Sequence, residues 1–327
     1  MSKLVTIYGG SGFVGRYIAR RMAKEGWRVR VAVRRPNEAL FVKPYGEVGQ
    51  VEPIFCNIRD DASVAAAMLG SDAVVNCVGI LAETSKNKFD TVQAEGAGRV
   101  ARLAAEQGIQ RLVHISAIGA DAASPSEYAQ SKAEGEAMIL SQFPSAVILR
   151  PSVIFGAEDE FFNRFADMAT KSPIIPLVGA ETKFQPVYVD DVAQAAVAGI
   201  MGQADAGIYE LGGPEVGTFK HFVNKMLTVI QRRKLVLPLP FFVGRLMGFS
   251  FDLLQTMSLG LFTNSVITRD QVRNLGNDNV VSQDAKTFAD LGIAPVSINA
   301  VLPDYLWSFR PSGQYAAIKA SAKNLRS

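Results

Sequence analysis

The 327-residue chain is 48% hydrophobic and 20% charged, enough apolar content for a full core and too much for a disordered chain. A formal net charge of +3, with no Arg/Lys run interleaved with aromatics, gives no ground for a nucleic-acid partner. Two cysteines in apolar stretches (Cys56, Cys77) and two histidines without ligand-like companions (His114, His221) point to reduced thiols and to no metal site.

The first strand is expected almost from Met1, as the apolar run Lys3–Tyr8, with no signal or transit peptide ahead of it. A Gly-rich turn follows, then a helical pattern from about Phe13 to Glu25. Further strands are expected at Trp27–Val33, Val51–Phe55, Ala73–Val78, Leu112–Ile115 and Ala146–Leu149. Helical stretches at Ser63–Leu69, Phe89–Gln107 and Glu127–Gln142 separate most of them. Strand alternating with helix predicts an α/β fold, a Rossmann doubly wound parallel sheet with helices on both faces. Continuous apolar strands predict burial of both sheet faces.

After Pro151 the rhythm loosens, and loops at Lys171–Gly179 and Gly212–Gly217 break it up. The chain therefore divides into a nucleotide-binding Rossmann domain (1–150) and a smaller, partly helical C-terminal region (151–311). The second is expected to interleave with the first and to cap the carboxyl edge of the sheet, where ligands bind in such folds. A polar, basic tail (312–327) carries Lys319, Lys323 and Arg326. No stretch reaches the roughly 18 uncharged apolar residues of a spanning helix, although Lys234–Thr263 comes close. From Pro238 on, only Arg245 and Asp252 are charged there. Such a stretch is a buried core or lid element, a surface docked on a partner, or a segment lying on a membrane. The near-absence of Lys/Arg between Pro238 and Leu261 argues against a simple basic amphipathic anchor, while Arg232, Arg233 and Lys234 just before that span are placed to meet anionic headgroups.

The first strand runs into Gly9-Gly10-Ser11-Gly12-Phe13-Val14-Gly15. A diphosphate needs backbone N–H donors, no side chain in the way and the positive end of a helix dipole. Gly9 and Gly10 allow the tight turn, Gly12 a close approach, and Gly15 the packing of helix on strand. The bland alternative is a Gly-rich turn kept for packing. The second strand ends in Arg34-Arg35, where Asp or Glu would hold a ribose 2′-hydroxyl; arginine suits the 2′-phosphate of NADP instead. A solvated charged pair is the rival there. Asn57-Ile58-Arg59-Asp60 after the third strand offers polar groups to an adenine edge, and capping the next helix is the rival role for Asp60. Val78-Gly79 ends the fourth strand, where a small residue can lie against a ribose.

Tyr128 and Lys132 stand four apart on one helix, hence on one face. A nearby ammonium favours tyrosinate, so such a tyrosine can act as acid or base toward a carbonyl or alcohol.

Together these features resemble the short-chain dehydrogenase/reductase superfamily, of the extended or atypical kind, over roughly Lys3–Pro214. Leu149-Arg150-Pro151-Ser152-Val153-Ile154-Phe155-Gly156, Pro186-Val187-Tyr188-Val189-Asp190-Asp191-Val192-Ala193 and Tyr209-Glu210-Leu211-Gly212-Gly213-Pro214 add to the match. The resemblance implies that Tyr128 and Lys132 are the catalytic pair, and that Ser116, Pro151 and Val153 join the cofactor-binding residues. Its catalytic serine does not carry over cleanly. Ser116 is nearest, but the usual position holds Ala117 or Ile118, and Ser126 is a second substitute. Losing one such hydrogen-bond donor can lower a rate by about 10²–10³.

Within that superfamily the chain is most similar to the dehydrogenase-fold accessory subunits of respiratory complex I (NADH:ubiquinone oxidoreductase). That implies a structurally held NADPH without turnover, partners among the peripheral-arm subunits, and contact with the lipid surface through 235–263. The expected location is the cytoplasmic face of a bacterial inner membrane or the matrix side of the mitochondrial one. Two alternatives stand beside it: a soluble NADPH-dependent reductase or nucleotide-sugar epimerase/dehydratase using Tyr128 and Lys132, and a redox sensor that binds NADP(H) and a protein partner.

Overall fold

A computed structural model describes residues 2–83, 87–257 and 268–315. Six strands lead the chain: β1 (Leu4–Tyr8), β2 (Arg28–Val33), β3 (Val51–Phe55), β4 (Ala73–Asn76), β5 (Arg111–Ile115) and β6 (Val147–Pro151). A seventh, Gly207–Leu211, pairs beside β6. All neighbours are parallel, and the order across the sheet is Gly207–Leu211, β6, β5, β4, β1, β2, β3. The order reverses between β1 and β4, and this switch point opens the crevice in which such sheets bind ligands.

Both faces are covered, as the apolar strands require. On one face α1 (Phe13–Lys24) and α6 (Val189–Met201) press Ile18, Met22, Val192 and Ala196 onto Val5, Ile7 and Val31. On the other lie α2 (Asp61–Met68), α3 (Glu95–Glu106) and α4 (Glu127–Gln142), which set Val64, Val100 and Ile139 against Val74, Leu112 and Ile148. The helix expected over Phe89–Gln107 is divided: a π-helical turn, Asp90–Ala94, precedes α3. Single-turn π insertions gather at functional sites. This one turns Val92 toward the crevice and buries Gln93 between the crevice wall and α4. Gln93 Oε1 accepts from the Ile80 amide at 3.3 Å, and its Nε2 donates to Ser131 Oγ at 3.0 Å.

The C-terminal region builds its own core from α5 (Phe162–Lys171), α7 (Phe219–Val229), α10 (Ile298–Tyr305) and the parallel strands Ile174–Val178 and Leu235–Leu239. It is also sewn into the Rossmann sheet. The segment 279–286 runs along the sheet edge: Lys286 bridges Tyr209, Glu210 N donates to the Lys286 carbonyl at 2.8 Å, and Phe288 and Ile293 enter the core beneath α6.

The apolar stretch after Lys234 forms the strand Leu235–Leu239 and α8 (Phe241–Met257). Its remainder, 258–267, lies outside the described residues, as does most of the basic tail (316–327). Gly244 and Gly248 face inward, where a Cβ would stand 2.7 Å from Val178 and 2.9 Å from the Arg269 amide. Phe242, Leu246 and Phe249 are thereby turned to solvent. Among the described residues no helix is long and apolar enough to cross a membrane.

Candidate functional site

A crevice of about 250 Å³ opens at the switch point. Gly9, Ser11 and Gly12 form its floor, Arg34 the end of β2, Asn57 and Arg59 the end of β3, and Cys77, Val78 and Gly79 the end of β4. Gly9 has φ +71°, and a Cβ there would meet the Cys77 backbone at 3.2 Å. Only glycine adopts that conformation freely while letting two strand ends approach so closely. Gly12 caps α1 without any side chain, so the first-turn N–H groups keep no local acceptor and stand at the positive end of the helix dipole. The residues present therefore fit a diphosphate: open donors, a bare cap and no side chain over them.

Gly15 is tighter than sequence spacing conveys. A Cβ there would lie 2.5 Å from the Gly9 carbonyl oxygen and 2.6 Å from Gly10 Cα, so this glycine packs α1 on the turn itself more than on the strand. Gly15→Ala is expected to lower stability by about 1–3 kcal/mol through forced backbone shifts. The measurement is the urea midpoint; an unchanged midpoint would show that the turn gives way freely.

The other expected cofactor residues divide. Phe13 leaves the crevice to pack on Gly156 and Tyr17, and Val14 packs into the core. Arg34 lines the crevice, whereas Arg35 turns outward into a 3.0 Å ion pair with Glu38. Asn57 lines it and Asp60 does not; Asp60 holds the N-cap position of α2, although its side chain makes no capping bond. Pro151 ends β6 and Val153 lies just past it, and their carbonyls accept from the Ile118 and Val187 amides. Cys77 lines the crevice and was not foreseen there, whereas Arg59, within the run expected to offer polar groups to an adenine edge, lines it as well. The signal for Arg59 was its place at the end of β3, beside Asn57. Burial pushes the Cys77 thiol up to about 12 and that of Cys56, which also lines the crevice, to about 11. Burial thus favours the protonated thiol at both positions.

Tyr128 and Lys132 stand on α4 just beyond the crevice wall. Lys132 is buried and its Nζ donates to the Ile115 carbonyl at 3.2 Å; the same Nζ would lie 3.4 Å from a Cβ at Gly79. Burial holds the ammonium down at about 8, against the pull of Glu136. Tyr128 is half-buried with its ring edge-on to Phe89. The expected lowering of its pKa by Lys132 is not found: burial pushes the phenol up to about 12. The reason is geometric. Lys132 Nζ lies 5.9 Å from the centre of the tyrosine ring and spends a hydrogen bond on Ile115, so burial dominates.

Neither candidate serine is free. The buried Ser116 hydroxyl donates to Glu136, which Arg150 grips through Nε and Nη2 at 2.9 and 2.6 Å. Ser126 Oγ donates to Asp270 Oδ2 at 2.7 Å while capping α4. Glu136, Arg150 and Asp270 had not been singled out, and their partners lie too far along the chain for any local pattern to show. Among the described residues no group of three or more potential metal ligands stands together.

Comparison with known proteins places this geometry among relatives. The model of the NAD dependent epimerase/dehydratase family matches residues 5–212. The chain is 33% identical over 316 residues to the NADH dehydrogenase (ubiquinone) 1 alpha subcomplex subunit 9, mitochondrial, of Arabidopsis thaliana, covering 95% of this chain and 79% of the relative. It is 30% identical over 322 residues to the mitochondrial NADH-ubiquinone oxidoreductase 40 kDa subunit of Neurospora crassa, covering 98% and 83%. In fold it is similar to an NADPH-dependent quinone oxidoreductase from Escherichia coli solved with NADPH, with a TM-score of 0.69 at 17% identity over 92% of this chain and 98% of that one.

Proposed function

Because the chain belongs to the NAD dependent epimerase/dehydratase family and has its NAD(P)-binding fold, we propose that it holds NADP(H) as an accessory subunit of respiratory complex I. The observation that carries this reading is the divided state of the site. The nucleotide cradle is complete, while both hydroxyls that would orient a reacting oxygen are committed elsewhere, Ser116 to Glu136 and Ser126 to Asp270. The subunit names of the Arabidopsis and Neurospora relatives support the assembly.

In this reading Gly9–Gly15 receive the diphosphate, Arg34 the 2′-phosphate, Asn57 the adenine side, and Val78 and Gly79 the ribose. The phosphate preference rests on Arg34, the cation at the end of β2 that lines the crevice. Tyr128 and Lys132 close the far wall and hold the nucleotide rather than transform it. A resident NADPH would supply hydride to a carbonyl; here it acts as a tie across the switch point. A ligand present at about 100 times its Kd stabilises the folded state by about 2.7 kcal/mol. Residues 1–150 serve as the nucleotide domain and 151–311 as the docking region, with the exposed Phe242, Leu246 and Phe249 of α8 toward subunits or lipid. The mitochondrial relatives support the inner membrane as the location. The matrix side, or the cytoplasmic face in a bacterium, is part of the same proposal.

The test is extraction of native membranes in mild detergent and a native gel stained for NADH oxidation. Co-migration of this chain with the large NADH-oxidising band, and NADPH retained through dialysis, is the expected result. A small separate band in the soluble fraction would overturn it. The reductase alternative, with Tyr128 as acid, would then be pursued with carbonyl and nucleotide-sugar substrates.

A further inference from the structure

The N-terminus of α4 is held from a distance. The short helix α9 (Arg269–Asn274) is fixed by a capping box between Thr268 and Gln271. From it Asp270 reaches across to α4. Its Oδ2 accepts from Ser126 Oγ at 2.7 Å and from the Tyr128 amide at 3.2 Å, and its Oδ1 accepts from the Glu127 amide at 2.9 Å. Arg273 of the same helix donates to the Pro125 carbonyl at 3.3 Å. Four consecutive residues, 125–128, are thus gripped by one turn of chain more than 140 positions later.

A cap alone would not need this. Ser126 already accepts from the Ala129 amide, the usual local solution for a helix start. The carboxylate adds a charge-assisted bond to the Tyr128 amide itself, at the end of the helix dipole that favours a negative group. Lys132 follows one turn on, on the same face, and reaches the crevice wall at Gly79. On its far side α9 rests on α8: Gly248 allows the Arg269 backbone to approach, and the Arg269 guanidinium lies 4.9 Å from the Phe249 ring centre.

We propose that Asp270 is a positioning residue for the nucleotide site: it fixes the first turn of α4, and thereby the placement of Tyr128 and Lys132, from an element carried by α8. This rests on the nucleotide reading above. It follows by linkage that nucleotide in the crevice tightens α9, and that whatever steadies α9 tightens the nucleotide by the same factor.

The test uses the full chain with NADPH as probe. Asp270→Ala is expected to raise the NADPH Kd about tenfold, the scale of one charge-assisted hydrogen bond, in protein that is still folded by circular dichroism. Asp270→Asn, which keeps one acceptor but loses the charge and the second acceptor, is expected to recover only part of that loss, leaving the Kd raised about threefold. NADPH should slow amide exchange over 268–275 in the wild type and leave it unchanged in Asp270→Ala. If the alanine variant does not fold, the asparagine variant and the wild-type exchange data carry the test. An unaltered Kd in the folded variants, or exchange over 268–275 indifferent to NADPH in the wild type, overturns the proposal while leaving the nucleotide reading intact. A wild-type chain that binds no NADPH overturns both.

Discussion

Arg150→Met is expected to destabilise the protein by about 3–5 kcal/mol, as breaking a buried ion pair from one side does. Arg150 stands between two carboxylates, gripping Glu136 through Nε and Nη2 and approaching Glu210 at 3.6 Å. The side chains of Glu136 and Glu210 are only 4% and 9% exposed. Methionine keeps the volume and removes the cation, leaving two buried negative groups and the Ser116 hydroxyl attached to one of them. The loss should register as a lower urea midpoint with an unchanged slope. Replacing Glu136 by Leu in the same chain should return part of it, because one of the two unmatched buried charges is then removed. A fall below 1 kcal/mol in the single variant would mean that water reaches the carboxylates.

The second large effect is with acid. His114 is 2% exposed, its Nδ1 has no hydrogen-bond partner, and burial beside Lys132 brings its pKa down to about 3. In an unfolded chain the same imidazole titrates near 6.5. Between those values the unfolded state takes up a proton that the folded state refuses. Stability therefore falls as pH drops from about 6.5 toward 3, at up to about 1.4 kcal/mol per pH unit and about 4–5 kcal/mol in all. His114→Leu should flatten that slope by one proton between pH 6 and pH 4. The difference between the two curves is the quantity to measure, because burial raises the Asp159 and Asp191 carboxyls. Those groups act the other way, binding protons more readily when folded. Parallel curves would show that the imidazole is already protonated, or solvated, in the native state.

Much of the fold was legible because it is written in local terms. Apolar runs such as Val29–Val33 and Ala73–Asn76 have nowhere to go but a doubly covered sheet, and Gly9-Gly10-Ser11-Gly12 specifies a backbone path more than a side-chain contact. The site was legible to the same depth. Sequence spacing put Tyr128 and Lys132 on one helical face, but it could not show that Lys132 would be drawn to the Ile115 carbonyl and so fail to depress the phenol. It placed two arginines at the end of β2, but not which would turn to Glu38 and which to the crevice. The serine was doubted from its position alone. Its actual engagement with Glu136, and that of Ser126 with Asp270, are contacts between segments 20 and 144 residues apart. Periodicity carries no trace of such pairs.

The seam along the sheet edge bears on how this protein is made. On the ribosome, the seventh strand, Gly207–Leu211, emerges well before the segment that flanks it, and Phe288 and Ile293 arrive later still to fill the core under α6. At synthesis rates of about 5–20 residues per second, that interval of some 80 residues lasts from several seconds to well over ten. During it the nascent Rossmann half presents an unfinished core and an open strand edge, the surfaces on which chains pair wrongly. Cover for that edge and completion of the core under α6 thus wait for residues 279–293.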